Sequence, residues 1–335
     1  MNDLESKIKD YIDRLNSNRL DLKFKLDPIK IKELRTSGIS HRNFLITTNG
    51  KRFLLRLSTR RKKHHYHLSY EYSILKHIEK YGLSPKSYIL SKGSVVGHSF
   101  IIVEYIEGKS LKSLNTKQLE ELARIVAHLH TIKLSKKIKG KFHDLSTSQK
   151  ALAKSVSWLD SIKKFFIGTK EKEKFIGEIA SAYEKIIHSK GYGKQKGLIH
   201  LDIAFENIIL SKDGIRIIDW ERMSLGDPYY DIATMFDRNS FNDSQKRIFI
   251  KEYSKISRIK YSNRLLKESD KIRKLDRMLW AIQEIVKLKT NIINKYDFKH
   301  IKISEWESIG KEKFDALKKL NVIPKSAKWL SAKNW

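Results

Sequence analysis

The sequence predicts an α+β protein of two lobes, a small β-rich N-terminal lobe and a larger α-helical C-terminal lobe. Three observations carry the prediction: β-like runs on either side of Asn49-Gly50, helical periodicity over most of the chain beyond Gly108, and one β-rich island at 197–220 inside the helical half. A chain of 335 residues is long enough for two domains or one large bilobal unit. The expected division is 1–30 as an N-terminal amphipathic helix, 31–107 as the β-rich lobe, and 108–335 as the helical lobe, which holds the 197–220 island and a helical tail at 241–335.

Taken in order, Leu4, Ile8, Tyr11, Ile12 and Leu15 form one helical stripe that ends at Asn16-Ser17-Asn18. From Ile31 the character turns β-like. Phe44 to Thr47 and Phe53 to Leu57 flank Asn49-Gly50, a strong short-range hairpin signal. Tyr72, Leu75 and Ile78 set a helix over about Ser69 to Lys80, stopped by Gly82 and Pro85. Tyr88 to Leu90 and Phe100 to Tyr105 read as two further strands. Leu122, Ile125, Val126 and Leu129 then recur at helical spacing over Leu119 to His130, and 150–190 reads as helical and basic. Beyond the island, helix returns from 241 to 321, with Trp280, Ile282, Ile285 and Val286 on one segment.

Composition narrows the function classes. With no cysteine there is no disulfide, thiolate nucleophile or iron–sulfur ligand, and an intracellular place is the default expectation. Asp3 and Glu5 stand where a signal peptide carries positive charge, and no stretch approaches the ~18 apolar residues of a membrane span, so a cytoplasmic protein without a membrane partner is expected. Lys plus Arg number 69 against 38 Asp plus Glu, a formal net charge of +31. Such a field attracts polyanions, nucleic acid above all. The excess comes in bursts: Arg60, Arg61, Lys62 and Lys63, then a group around Lys137, then Lys163 and Lys164 with the lysines after them. These are the expected RNA contacts; the competing reading of any one burst is a solvated face.

The chemistry concentrates in Gly197 to Asp219. Two apolar runs flank Ser211-Lys212-Asp213-Gly214, predicting a hairpin from about Asn207 to Ile218. Antiparallel pairing would then place Asn207, at its entry, beside Asp219, at its exit, with Asp202 on the loop that feeds the same end. Two oxygen donors of moderate charge suit Mg²⁺, which keeps waters and substrate phosphates as its other ligands. A third carboxylate not needed by the metal can accept a proton from an attacking hydroxyl. Phosphoryl transfer requires this set, because its chemistry is mostly positioning and charge neutralisation.

On these residues the sequence resembles the protein-kinase-like superfamily, in its aminoglycoside phosphotransferase and choline kinase branch. His200-x-Asp202-x4-Asn207 matches the catalytic loop, and Ile218-Asp219-Trp220-Glu221 takes the place of the metal-binding Asp motif. Gly226-Asp227-Pro228-Tyr229-Tyr230-Asp231-Ile232-Ala233 resembles the block that follows, in which Asp231 would brace the catalytic loop through backbone hydrogen bonds; His200 would brace it too. Upstream, Thr36 to Phe44, with Ser37, Gly38 and Ser40, resembles the nucleotide-covering loop. Arg56 stands in the strand whose basic residue holds the ATP phosphates, and Glu71 is its acidic partner. Val103 to Gly108, with Glu104 and Ile106, resembles the adenine-contacting hinge. The resemblance implies a bilobal kinase-like fold, ATP and Mg²⁺ as cofactors, Asp202 as the base, and Asn207 and Asp219 as metal ligands. Leu201 stands where many relatives have glycine, and Arg56 where lysine is more familiar.

The acceptor stays open at this level. Relatives that bind cationic aminoglycosides or choline need acidic pockets, which a +31 body disfavours. The leading expectation is therefore an RNA acceptor, as in similar archaeal enzymes that phosphorylate a ribose 2′-hydroxyl of tRNA. One alternative is a small-molecule hydroxyl kinase, for which Glu305, Glu307 and Glu312 offer a thin acidic cluster. The other is a catalytically silent RNA-binding scaffold. No Ala-Pro-Glu block follows Asp219, which argues against a protein acceptor.

Overall fold

The computed structural model describes residues 3–18, 29–34, 41–48, 50–58, 66–95, 98–134, 141–165, 169–188, 191–257, 259, 261–289 and 303–331. In chain order its elements are α1 (Asp3–Asn18), β1 (Lys30–Leu34), β2 (His41–Thr48), β3 (Lys51–Ser58), α2 (Tyr66–Ile78), β4 (Ser87–Val95), β5 (His98–Glu104), β6 (Lys109–Ser110) and α3 (Thr116–Thr131). There follow β7 (His143–Leu145), α4 (Ser148–Phe165), α5 (Lys170–Ile187), β8 (Gly197–Ile199), β9 (Ile208–Ser211), β10 (Gly214–Ile217), β11 (Ser224–Gly226), α6 (Pro228–Arg238), α7 (Asp243–Ser257), α8 (Asn263–Lys289) and α9 (Ile303–Lys319). The chain divides into two compact units, Met1–Ser113 with Phe205–Arg222, and Leu114–Ala204 with Met223–Trp335.

The first unit is built on a five-stranded antiparallel sheet of order β1-β2-β3-β5-β4. β2 and β3 form the expected hairpin, with Thr48 opposite Lys51 and Gly50 at φ 71°, where a Cβ would be strained. Period-2 alternation puts Phe53, Leu55 and Leu57 of β3 inward against Phe44, Ile46, Phe100 and Ile102. Ile8 and Ile12 of α1 join the same core, and the Tyr11 ring meets Phe100 edge-on at 5.5 Å. Helix α2 ends in a 3₁₀ turn at Glu79–Tyr81, closed by Gly82 at φ 70°, whose N–H donates to the Glu79 carbonyl.

A second, three-stranded sheet of order β10-β9-β6 completes this unit. The sequence reading grouped 197–220 with the helical lobe; in the structure 205–222 belongs with the β-rich unit. The physical cause is β6, only two residues long, which pairs with β9 through Lys109 opposite Leu210 and Ser110 opposite Ile209. Gly108 permits this approach, since a Cβ there would lie 2.3 Å from the Leu210 carbonyl oxygen.

The second unit is helical around a small sheet of order β7-β11-β8. Helix α3 starts with a reciprocal capping box between Asn115 and Gln118. The segment 150–190, expected to be helical and basic, is helical and forms two helices, α4 and α5, the second capped by Thr169 through the Lys172 N–H. Leu152, Ile162, Phe175, Ile179, Leu279 and Phe314 belong to one buried cluster. The chain after α9 folds onto it through Val322, Ile323 and Leu330, and Gly310 makes room for Trp329, whose ring a Cβ would meet at 2.7 Å. No helix among the described residues is long and apolar enough to cross a membrane.

Candidate active site

The first unit carries the hairpin with its polar mouth. β9 and β10 pair from Ile208 opposite Ile217 to Ser211 opposite Gly214. Ladder bonding extends one step further, the Ile218 N–H donating to the Asn207 carbonyl at 3.0 Å, so Asn207 and the Ile218-Asp219 step face each other at the open end. The turn itself is Lys212-Asp213, with Gly214 already in the return strand at φ 102°, one residue off the Asp-Gly turn read from the sequence. The buried Trp220 indole donates to the Ile217 carbonyl at 2.9 Å and fixes the exit. Asp219 sits at φ 65°, in the left-handed region, a sparsely populated conformation for a non-glycine residue that concentrates at functional sites.

Arg56 of β3 reaches this exit. Its Nη1 donates to Glu71 Oε1 of α2 at 2.6 Å, and its Nη2 donates to Asp219 Oδ1 at 2.8 Å. His41 Nδ1 lies 3.2 Å from the same Nη2 and 3.5 Å from Glu221, and Glu221 stands 4.0 Å from the guanidinium. One largely enclosed guanidinium, 11% exposed, thus serves three carboxylates. Burial works against the charge of Arg56, but Glu71, Asp219 and Glu221 outweigh it and hold its pKa above the ordinary value. Burial pushes the Glu71 carboxyl up to about 8 against the pull of Arg56, with Asp219 and Glu221 adding to the rise.

Asn207 and Asp219 offer hard oxygen donors at the hairpin mouth, and a cationic group already stands against Asp219 in the form of Arg56. That donor set fits Mg²⁺, which needs few protein ligands. Among the described residues no cluster of three or more His, Asp or Glu side chains could hold a metal. Glu104 commits its carboxylate to the Lys86 N–H at 3.0 Å and to Arg216 of β10 at 3.4 Å, so its part in a hinge would rest on its backbone. Ile106 is half-buried between β5 and β6. Ser37, Gly38, Ser40, Arg60, Arg61, Lys62, Lys63 and Lys137 lie outside the described residues. Lys163 and Lys164 are exposed in the last turn of α4, with Lys163 3.7 Å from Asp160.

The second unit carries the Asp202 loop and the clamp that shapes it. Asp231, fully buried in the first turn of α6, accepts the Leu201 N–H on Oδ1 at 2.7 Å and the His200 N–H on Oδ2 at 2.8 Å. His130 Nε2 lies 3.1 Å from the same Oδ2, and its Nδ1 lies 2.7 Å from the Tyr253 hydroxyl. With Asp231 ionised, Nε2–H donates to it. Burial alone would raise the Asp231 pKa, but His130, His200 and the backbone N–H donor reverse this and hold it below the ordinary value. Leu201 is pinned at φ 70°, a strained conformation for a branched side chain.

Every peptide near Asp202 is tied. Its N–H donates to His200 Nδ1 at 3.2 Å, its carbonyl accepts the Ala204 N–H at 3.0 Å, and the Ile203 carbonyl accepts Asn239 Nδ2 at 2.9 Å. The Asp202 carboxylate, about one-fifth exposed, lies 3.6 Å from Arg238 Nε of α6. Asp227 starts α6 by capping the Tyr229 N–H at 2.9 Å while its other oxygen takes the Gly193 N–H at 2.7 Å. The motif reading did not single out His41, His130, Arg238, Asn239 or Tyr253. A signal existed for two of them: Arg238 follows Asp231 by seven residues, two turns along the same helix face, and His130 closes an otherwise apolar stripe.

Residues 30–260, more than two thirds of the chain, match the phosphotransferase enzyme family (APH). An uncharacterized protein of Metamycoplasma hominis is 27% identical over 158 residues, 46% of this chain and 28% of that protein. A LicA homolog from the same organism is 31% identical over 55 residues, 16% of this chain and 22% of that protein, so the chain spans about a quarter of the curated relatives it matches. Among solved structures, a protein of Ralstonia eutropha assigned as an aminoglycoside phosphotransferase superposes with a TM-score of 0.69 at 15% identity, covering 97% of this chain and 99% of that one. Choline kinase LicA of Streptococcus pneumoniae gives 0.64 at 18% identity, covering 94% and 97%. A structure of LicA in complex with AMP gives 0.62 at 19% identity, covering 95% and 99%. These structures establish the bilobal kinase-like fold, and the match over 30–260 places the chain in the phosphotransferase enzyme family.

Proposed function

We propose that the protein is an ATP-dependent kinase that moves the γ-phosphoryl group to a hydroxyl of its acceptor. The observation that carries this reading is the Asp231 clamp, which fixes the backbone at His200 and Leu201 and thereby the place of Asp202. Asp202 accepts the proton as the acceptor oxygen bonds to the γ-phosphorus and the bond to the β,γ-bridging oxygen breaks, releasing ADP. Asn207 and Asp219 would hold Mg²⁺, which when bound supplies neutralisation of phosphate charge. Arg56, oriented by Glu71 and hydrogen-bonded to Asp219, would hold the phosphates. The use of ATP is supported by the LicA structure in complex with AMP, to which this fold is similar.

A small hydroxyl compound is the acceptor class supported by family membership and by a choline kinase among the structural neighbours. An RNA ribose hydroxyl is the second reading, favoured by the net charge of +31. The test is transfer of labelled γ-phosphate from MgATP to a panel of choline, ethanolamine, aminoglycosides and sugars beside total tRNA, with Asp202→Ala as control. The expected result is label in one class that falls by ~10²-fold or more in the variant, the usual weight of a positioned general base. Transfer that persists in Asp202→Ala would refute the assignment of the base, and label only in small molecules would refute the RNA reading.

A further inference from the structure

We propose that the acceptor carries an anionic group, a phosphate or a carboxylate, next to the hydroxyl that is phosphorylated, and that Arg238 selects it; this rests on Asp202 being the base of the proposed transfer. Arg238 Nε stands 3.6 Å from Asp202 Oδ1, beyond hydrogen-bond length, so the two meet as charges. The spacing is built into the fold. Asn239, the next residue after Arg238, donates from Nδ2 to the carbonyl of Ile203, the next residue after Asp202, at 2.9 Å, and Asn239 is buried. Asp231, two turns earlier on the same helix, holds the loop from its other side. Helix α6 therefore sets both the base and the cation beside it.

Arg238 is not needed to balance the acidic residue next to it in sequence. Asp237 has its own cations, Lys313 at 2.8 Å and Lys274 at 3.8 Å. The Arg238 and Asp202 side chains keep 20% and 19% of their surface accessible, so a ligand approaching the base meets the guanidinium as well. A cationic acceptor would bring like charge against Arg238, which costs binding energy in a partly desolvated site. An acceptor with an anionic neighbour would instead take charge-assisted, fork-shaped hydrogen bonds from it. The +31 surface favours the same sign of ligand at longer range. Both a small phosphate or carboxylate ester and a ribose flanked by RNA phosphates have this chemistry.

The experiment uses the full chain with labelled MgATP and a cell extract divided into anion-exchange-retained small molecules, unretained neutral and cationic small molecules, and RNA with or without ribonuclease. Label should enter the retained small molecules or the RNA, and ribonuclease sensitivity separates those two sources. For that acceptor, Arg238→Glu should lower kcat/KM by about 10- to 100-fold, the weight of one charged hydrogen bond, with the loss in KM rather than kcat; Arg238→Lys should recover part of it. A purely structural role would lower kcat and thermal stability together. Asp202-dependent label in the unretained fraction, or a KM indifferent to Arg238→Glu, would overturn the inference while leaving the kinase reading intact. No Asp202-dependent label in any fraction would instead refute the kinase reading and the inference with it.

Discussion

Asp231 shows how much of the site one side chain can determine. Its two oxygens receive the N–H groups of His200 and Leu201 and the His130 ring, and no solvent reaches it. Asparagine has the same shape but presents an N–H₂ group to at least one of those donors, leaving buried groups facing each other without a bond. Asp231→Asn should therefore cost about 3 kcal/mol at pH 7, the weight of breaking a buried charged network, and should slow transfer by loosening the Asp202 loop. The pH dependence has a definite sign. Because the folded pKa is lowered, the contribution of Asp231 is present above its unfolded pKa, near ~3.9, and is lost as pH falls through the folded value. Urea melts should show the wild type and Asp231→Asn converging as pH is taken from 7 towards 3; an equal gap at both ends would contradict this assignment. The resemblance marked position 201 as one where many relatives carry glycine, and the φ of 70° gives the physical reason: a glycine adopts it freely, whereas a leucine is held there by the clamp.

Among the elements, the β9–β10 hairpin was readable because its signal is local: two apolar runs, a turn residue pair and a glycine, all within a dozen residues. Its membership of the β-rich unit was not readable, because β6 is two residues long and two residues carry no periodicity. The division of 150–190 into two helices was marked only by Gly168-Thr169, a breaker followed by a capping residue. The contact between β6 and β9 makes a sharp prediction. A methyl at Gly108 would meet the Leu210 carbonyl at 2.3 Å and the Ile209 side chain at 2.6 Å. Backbone cannot yield as a flexible side chain does, so Gly108→Ala should destabilise the protein by about 2 kcal/mol and weaken nucleotide binding by displacing the hairpin that carries Asn207 and Asp219. Calorimetric titration with ATP and Mg²⁺, beside a thermal melt, measures both; unchanged affinity with a lowered melting temperature would separate the strand contact from the site.

For the whole molecule, the fold class and the kinase-like chemistry were legible because the motif residues come in order along the chain and need no knowledge of distant contacts. The acceptor was not. The groups around Asp202 come from α6 and the loop it holds, and the seven-residue spacing from Asp231 marks the helix face of Arg238 but not its place beside Asp202. The charge is the property that acts at this scale. If it serves an RNA acceptor, binding to tRNA should weaken steeply between 50 and 200 mM salt, by ~10³-fold or more for several phosphate contacts, and Asp202→Asn should leave that binding in place. A shallow salt dependence would contradict the RNA reading of the charge.

The central claim, Asp202-dependent transfer of the γ-phosphoryl group to a hydroxyl, is tested most directly by following MgATP with ³¹P NMR in the presence of the acceptor-bearing extract. The wild type should convert the γ resonance into a phosphate monoester as ADP appears, and Asp202→Asn should leave ATP intact over the same period. Equal conversion by the variant, or ADP appearing with inorganic phosphate as the sole partner product, would contradict the account.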